Sequence, residues 1–146
     1  MTLTLKLMMM KRESKASLSR PECFSFKNRR GELLRGVVHI PESRSQKCVI
    51  TVHGWGTCRT GPQRYFIRLA QQLVDHDIAT FRFDLPGRGE SEGEEHTVTI
   101  DDMADSVADL ITYIRSNYPH IETFNLCGIC SGGNAAILAS LQEDIE

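Results

Sequence analysis

A chain of 146 residues, 40% of them apolar and 25% charged, can bury one sizeable core and has the composition of an ordinary soluble domain. Its net charge of −2 hides an asymmetry: residues 1–35 carry nine Lys/Arg against three Asp/Glu, and residues 36–146 carry eight against sixteen. No aromatic is interleaved with the basic residues before Phe24 and no basic helical face forms. Residues 1–20 therefore read as a disordered basic arm rather than a nucleic-acid surface.

No stretch is long or apolar enough to span a membrane. The opening MTLTLKLMMMKRE has Lys6 inside its only apolar run and no small-residue cleavage site, which makes a poor signal peptide. Cys23, Cys48, Cys58, Cys127 and Cys130 are an odd number without framework spacing, so reduced thiols and a cytoplasmic protein are expected.

From Cys23 onward the pattern sharpens into elements, which makes residues 21–146 one domain. "CFSFKN" and "LLRGVVHIP" flank the turn "NRRGE" and predict a β-hairpin. "KCVITVHG" is a continuous β-branched run, the mark of a strand buried on both faces. "PQRYFIRLAQQLVDHD" repeats at helical spacing through Phe66, Leu69, Ala70, Leu73 and Val74. "IATFRFDLPG" is a second strand of the interior type, closed by Pro86 and Gly87. "TIDDMADSVADLITYIRSNYP" carries one apolar stripe from Ile100 to Ile114, and Thr99 with Asp102 resembles a capping box with Asp in place of Glu. "TFNLCGI" is a third such strand and "SGGNAAILASL" opens a further helix. A hairpin followed by β-α-β-α-β-α predicts an α/β fold, three layers deep, with a mostly parallel sheet between helices.

The turn "LCGICSGGNAA", Leu126 to Ala136, admits three readings. As a phosphate loop it fails, because Asn134 and Ala135 stand where Lys and Ser/Thr should follow the last glycine. As a C-x-x-C redox pair, Cys127 and Cys130 use only four residues and leave Gly132, Gly133 and the following alanines unexplained. As a nucleophile elbow it explains more. A strand turning straight into a helix strains the apex residue and needs small residues two before and two after it. Gly128 and Gly132 meet that need around Cys130 but not around Ser131, whose residue two before is Ile129. A thiolate at a helix N-terminus is stabilised there, and the next backbone N–H is free for an oxyanion.

"HGWG", His53 to Gly56, follows the first interior strand, and "DLPGRGES", Asp84 to Ser91, follows the second. Gly87-Arg88-Gly89 makes no dinucleotide fingerprint, because acidic residues rather than a helix follow it. Taken together, H-G-x-G, D-x-x-G-x-G-x-S and the elbow resemble the α/β-hydrolase superfamily over about residues 22–142. "HGWG…FDLPGRGES…SGGNAA" looks most like its serine-aminopeptidase and monoacylglycerol-lipase-like branch. The resemblance implies a hydrolase acting on an ester, thioester or amide by acyl transfer. It places the nucleophile at position 130 and the oxyanion hole at the backbone N–H groups of Trp55 and Ser131. It implies a small-molecule acyl substrate and neither metal nor organic cofactor.

Two departures qualify that resemblance. The usual Ser is Cys130 here, as in the dienelactone-hydrolase group. In the superfamily the triad acid and histidine come after the elbow, yet no His follows His120 and Asp144 lies close behind the elbow in sequence. The expectation is the N-terminal half of the fold, catalytically incomplete, with the strand before the elbow left as an edge through which chains self-associate. His53 is the histidine nearest the predicted site, and the resemblance makes it structural beside the oxyanion loop, with a Cys130–His53 dyad as the alternative. Two other readings stay open: a non-catalytic binding module on the same half sheet, and a thiol redox protein using Cys127 and Cys130.

Overall fold

The computed structural model describes residues 20–142. The arm predicted over residues 1–20 lies outside them except for Arg20. In chain order the elements are β1 (Glu22–Lys27), β2 (Leu33–His39), β3 (Lys47–Val52), α1 (Tyr65–Asp75), β4 (Ala79–Phe83), α2 (Ile100–Asn117), β5 (Thr123–Gly128) and α3 (Ser131–Gln142). Each strand and helix expected from the sequence is present. One boundary differs: the first helix starts at Tyr65, because Gln63 and Arg64 take left-handed φ of 48° and 60° and break the helical run begun at Pro62.

The strands form one sheet in the order β1-β2-β4-β3-β5. β1 and β2 are antiparallel, as are β2 and β4, while β3 lies parallel to both β4 and β5. The parallel connections run in opposite directions across the sheet: from β3 outward to β4, then from β4 back past β3 to β5. Right-handed crossovers in opposite directions put their helices on opposite faces. The packing agrees. Phe81 and Phe83 of β4 share a core cluster with Met103, Val107, Leu110 and Ile111 of α2 and with Ala135 and Ala139 of α3. Phe66, Ala70 and Val74 of α1 are buried outside that cluster, on the face to which Thr80 and Arg82 point.

This topology positions the site. The chain leaves β3 toward α1 on one face and leaves β5 toward α3 on the other, so a crevice opens between the carboxyl ends of these neighbouring strands. Among the described residues β5 is paired only with β3. Its burial is correspondingly partial: Phe124 is buried, whereas Leu126 and Cys127 are half-buried.

Local chemistry fixes the outer elements. The capping box at α2 forms as read: Thr99 Oγ1 accepts the Asp102 N–H at 3.2 Å and Asp102 Oδ2 accepts the Thr99 N–H at 2.9 Å. Those bonds, led by the one from the Thr99 backbone, hold the Asp102 carboxyl below the usual carboxylate range. In the hairpin turn, Asn28 Oδ1 accepts the N–H groups of Arg30 and Glu32. Arg29 and Arg30 are exposed but paired. They reach Asp105, Asp109 and Asp102 along α2 at 2.9–3.0 Å and dock the hairpin on that helix. Partly exposed pairs of this kind contribute about 0–1 kcal/mol each.

A buried polar pair joins the antiparallel part to the parallel part. Arg82 on β4 sends Nη2 to His39 Nε2 on β2 at 3.1 Å. A guanidinium can only donate, so Nε2 is the acceptor and His39 is neutral. Burial, then the Arg82 charge, lowers the His39 pKa to about 4. The unfolded chain binds a proton at this residue below about 6.5 and the folded chain does not, so stability falls as pH drops from about 6.5 to about 4. Urea unfolding across that window should show this slope. His39→Gln, which can still accept from Arg82, should flatten it, with His53 retaining the remainder because burial lowers its pKa too.

Candidate active site

The elbow is set by three close backbone approaches. Cys130 stands between β5 and α3 with φ of 57°, a left-handed conformation that costs a non-glycine residue on the order of 1 kcal/mol or more. Its flanking glycines make the turn possible. A Cβ at Gly132 would lie 2.2 Å from the Val52 carbonyl oxygen, and one at Gly128 would lie 2.3 Å from the Gly132 carbonyl oxygen. The Ile129 N–H donates to Val52 O at 3.1 Å and locks the turn onto the end of β3. Cys130 is thereby lifted to an exposed apex, while Ser131 is only 6% exposed as the first residue of α3. Of the two candidate nucleophiles in the motif, the thiol is the accessible one.

The HGWG loop faces it. At Gly54 a Cβ would lie 3.0 Å from Cys130 Cβ and 3.2 Å from Ser131 Oγ, so only glycine lets the HGWG loop approach the elbow this closely. The next N–H, that of Trp55, points at the elbow and donates to Ser131 Oγ at 2.9 Å. The Ser131 N–H, at the start of its helix, has no acceptor among the described residues. The Trp55 ring is 44% exposed and lies 5.6 Å beneath the Arg88 guanidinium.

His53 is a strut. The Leu85 N–H donates to its Nε2 at 3.0 Å, which requires the proton on Nδ1, and Nδ1–H donates to Gly54 O at 3.0 Å. Both nitrogens are thus committed, the ring is 1% exposed, and burial above all lowers its pKa. No nitrogen remains to take a proton from Cys130, so the geometry gives the dyad no support. None of the other histidines helps. His39 is bound to Arg82, His76 caps α1, His96 is exposed, and His120 lies edge-on to Tyr118 with its Nε2 buried and unpartnered among the described residues. No imidazole is hydrogen-bonded to Cys130 among the described residues.

The loop after β4 is organised by a residue that periodicity alone did not flag. Asp84 is fully buried. Its Oδ1 accepts the Arg59 N–H at 2.7 Å, its Oδ2 accepts the Glu90 N–H at 3.1 Å, and the Arg59 guanidinium is paired with it as well as with Glu90. A Cβ at Gly89 would fall 2.3 Å from Asp84 Oδ2, which accounts for the last glycine of the motif. Arg82 continues the network by donating to Arg59 O at 3.0 Å. The sequence signal was the Asp at the strand end with glycine spaced five residues on, and it reports a loop scaffold.

Cys127 lies on β5, where burial pushes its thiol pKa up and away from the thiolate. All five cysteines are free. No group of three or more His, Cys, Asp or Glu side chains is arranged to hold a metal among the described residues. No helix among them is long and apolar enough to cross a membrane. The cavity beside the HGWG loop, lined by His53, Trp55, Leu85 and Met103 among others, measures about 10 Å³ and has room for a water at most. A larger cleft of about 460 Å³, lined by Cys23, Phe24, Ser25, Arg35, Gly36 and Glu90, touches no elbow residue.

With strand, elbow and HGWG loop in this arrangement, the sequence matches the family model described as serine aminopeptidase, S33, over residues 43–145. The chain belongs to this hydrolase family. No curated protein matches it in sequence. Among solved structures it is similar to the α/β hydrolase GrgF from Penicillium sp. sh18, with 23% identity and a TM-score of 0.77 over 86% of this chain and 43% of that one. The Pyrococcus furiosus esterase Pf2001 gives 21% identity and a TM-score of 0.77 over 86% and 47%. An α/β serine hydrolase without lid from Xanthomonas campestris gives 20% and 0.71 over 87% and 58%. The chain therefore spans about half the length of these proteins. The shared part is the fold expected from the sequence: a mostly parallel sheet, opened by an antiparallel hairpin, as in the N-terminal half of an α/β hydrolase.

Removing Asp84 should unbuckle the loop beside the site. Asp84→Ala leaves the Arg59 charge and two N–H groups without their buried acceptor. A loss of about 3 kcal/mol is expected, since Arg59 keeps Glu90 and some solvent. Guanidinium unfolding should show a lower midpoint with an unchanged slope. Glu90→Gln, at an exposed partner, should cost less than about 1 kcal/mol.

Proposed function

We propose that this chain carries the nucleophile half of an acyl-transfer hydrolase acting on a small ester, thioester or amide. One observation carries the reading. Cys130 is held strained and exposed at a glycine-walled apex, the HGWG loop packs against it at Gly54, and the Trp55 N–H reaches its neighbour Ser131. A thiol used only for packing would be buried in relaxed backbone, as Cys48 is within β3.

In the proposed step, Cys130 Sγ as thiolate attacks the acyl carbon and forms a C–S bond, and the carbonyl π pair moves onto oxygen. The Trp55 and Ser131 N–H groups receive that oxyanion. Its collapse breaks the bond to the leaving group and leaves a thioester on Cys130. Hydrolysis then requires a base to activate water, and no described histidine has a nitrogen placed to act as that base. His53 instead holds the HGWG loop at its distance from the elbow.

The described chain should therefore acylate faster than it deacylates. With p-nitrophenyl acetate it should release a burst of about one equivalent of p-nitrophenolate and retain one acetyl group on Cys130 by mass spectrometry. Cys130→Ala should abolish both. An undiminished burst from Cys130→Ala, or acetyl found elsewhere, would sink the assignment. Loss of activity in Cys127→Ala as well, with turnover of a protein disulfide, would favour the redox reading.

Self-association belongs to the same proposal. β5 has one paired side, and Ile137 and Leu141, one turn apart on the following helix, are 63% and 78% exposed. An open edge flanked by apolar side chains recruits further strands. Light scattering should show mass rising with concentration, and Ile137→Lys with Leu141→Lys should suppress it. A monomer at all concentrations would remove this part of the reading.

A further inference from the structure

The Trp55 N–H is not free. It donates to Ser131 Oγ at 2.9 Å, so the donor needed by an oxyanion is already occupied by the residue next to the nucleophile. The fit is enclosed. Ser131 is 6% exposed, and its Oγ lies in contact with the face of Gly54. Only the Ser131 N–H is left without an acceptor among the described residues. As it stands, the hole offers one open donor instead of two.

We propose that the Ser131 hydroxyl acts as a stopper of the oxyanion hole, a positioning residue that sets the reactivity of Cys130 toward carbonyls. The inference rests on the assignment of Cys130 as nucleophile and deepens it. An interaction present in the resting state and broken in the transition state slows the chemical step. Trp55 must release Ser131 Oγ before it can bind the developing oxyanion, and rotation of Ser131 about χ1 is the smallest movement that allows it. The exchange becomes favourable only when real charge appears, because a hydrogen bond to an oxyanion is roughly twice as strong as one to a neutral hydroxyl. The stopper therefore discriminates between electrophiles. It opposes attack on a carbonyl, where oxygen gains charge. It leaves untouched a displacement at saturated carbon, where no oxyanion forms.

That difference supplies the test. The rate of Cys130 acetylation by p-nitrophenyl acetate, in which Sγ bonds to the acetyl carbon and p-nitrophenolate leaves, is divided by the rate of its alkylation by iodoacetamide, in which Sγ displaces iodide. Changes in thiol ionisation or access affect both rates and cancel. Ser131→Ala and Ser131→Gly should each raise the ratio about tenfold, the worth of one neutral hydrogen bond. A ratio unchanged or lowered in folded variants overturns the stopper while leaving Cys130 as nucleophile. No acetylation of Cys130 in the parent or either variant overturns the nucleophile and the stopper together.

Should neither variant fold, the parent chain is titrated with 1,1,1-trifluoroacetone. The thiolate adds to its carbonyl carbon, forming a C–S bond while the π pair moves onto oxygen, and the fluorines keep that oxygen ionised, so it sits in the hole as an oxyanion. The Trp55 amide resonance should then shift and the Ser131 Hα–Hβ couplings should report a new rotamer. A Ser131 rotamer that stays fixed overturns the proposal.

Discussion

Everything at the site depends on the contact between two pieces of backbone, the start of α3 and the end of β3. Gly132 lies so close to the Val52 and His53 carbonyls that any side chain on it would meet them at 2.2–2.5 Å. That approach, with the Ile129 bond to Val52, forces the chain to reverse within a few residues. The reversal puts Cys130 in left-handed backbone at an exposed apex and brings the first N–H of α3 beside the loop that leaves β3. A wider turn would relax Cys130 and separate it from Trp55.

The surroundings hold that contact in place by polar means. His53 ties its own loop to the loop after β4, and Asp84 gathers the rest of that loop around one buried carboxylate with Arg59 as its counter-ion. Arg82 and His39 extend the chain of polar contacts to β2. Each of these groups would be costly to bury alone. Linked together, they satisfy most of one another's polar atoms, with Arg82 Nε left unpartnered among the described residues, and the apolar cluster lies on the opposite face.

Much of this was legible in the sequence. The β-branched run of β3, the stripe of α2 and its Thr99 cap are signals of local periodicity and local hydrogen bonding, and both act within a few residues. The elbow was legible for the same reason, since its glycines answer to sterics two positions away. What stayed hidden was long-range or all-atom. Arg29 and Arg30 count as basic residues until α2 presents its aspartates to them from about eighty residues away. Arg82 reads as a polar interruption in a strand until His39 and Arg59 appear around it. Ser131 reads as the flanking residue that lends its backbone N–H, and nothing in the spacing tells which way its hydroxyl turns.

The placement of β5 has a mechanical meaning. Of the two strands that present the site, β3 lies between β4 and β5, while β5 is paired with β3 alone among the described residues, along the register from Lys47–Thr123 to Val52–Gly128. The HGWG loop thus extends from a strand held on both sides and Cys130 from one held on one side. Bending of β5 against β3 alters the gap between the Cys130 thiol and the Trp55 amide, because the two groups follow different strands. Stiffness along that one edge therefore bears on how closely the two are held to each other.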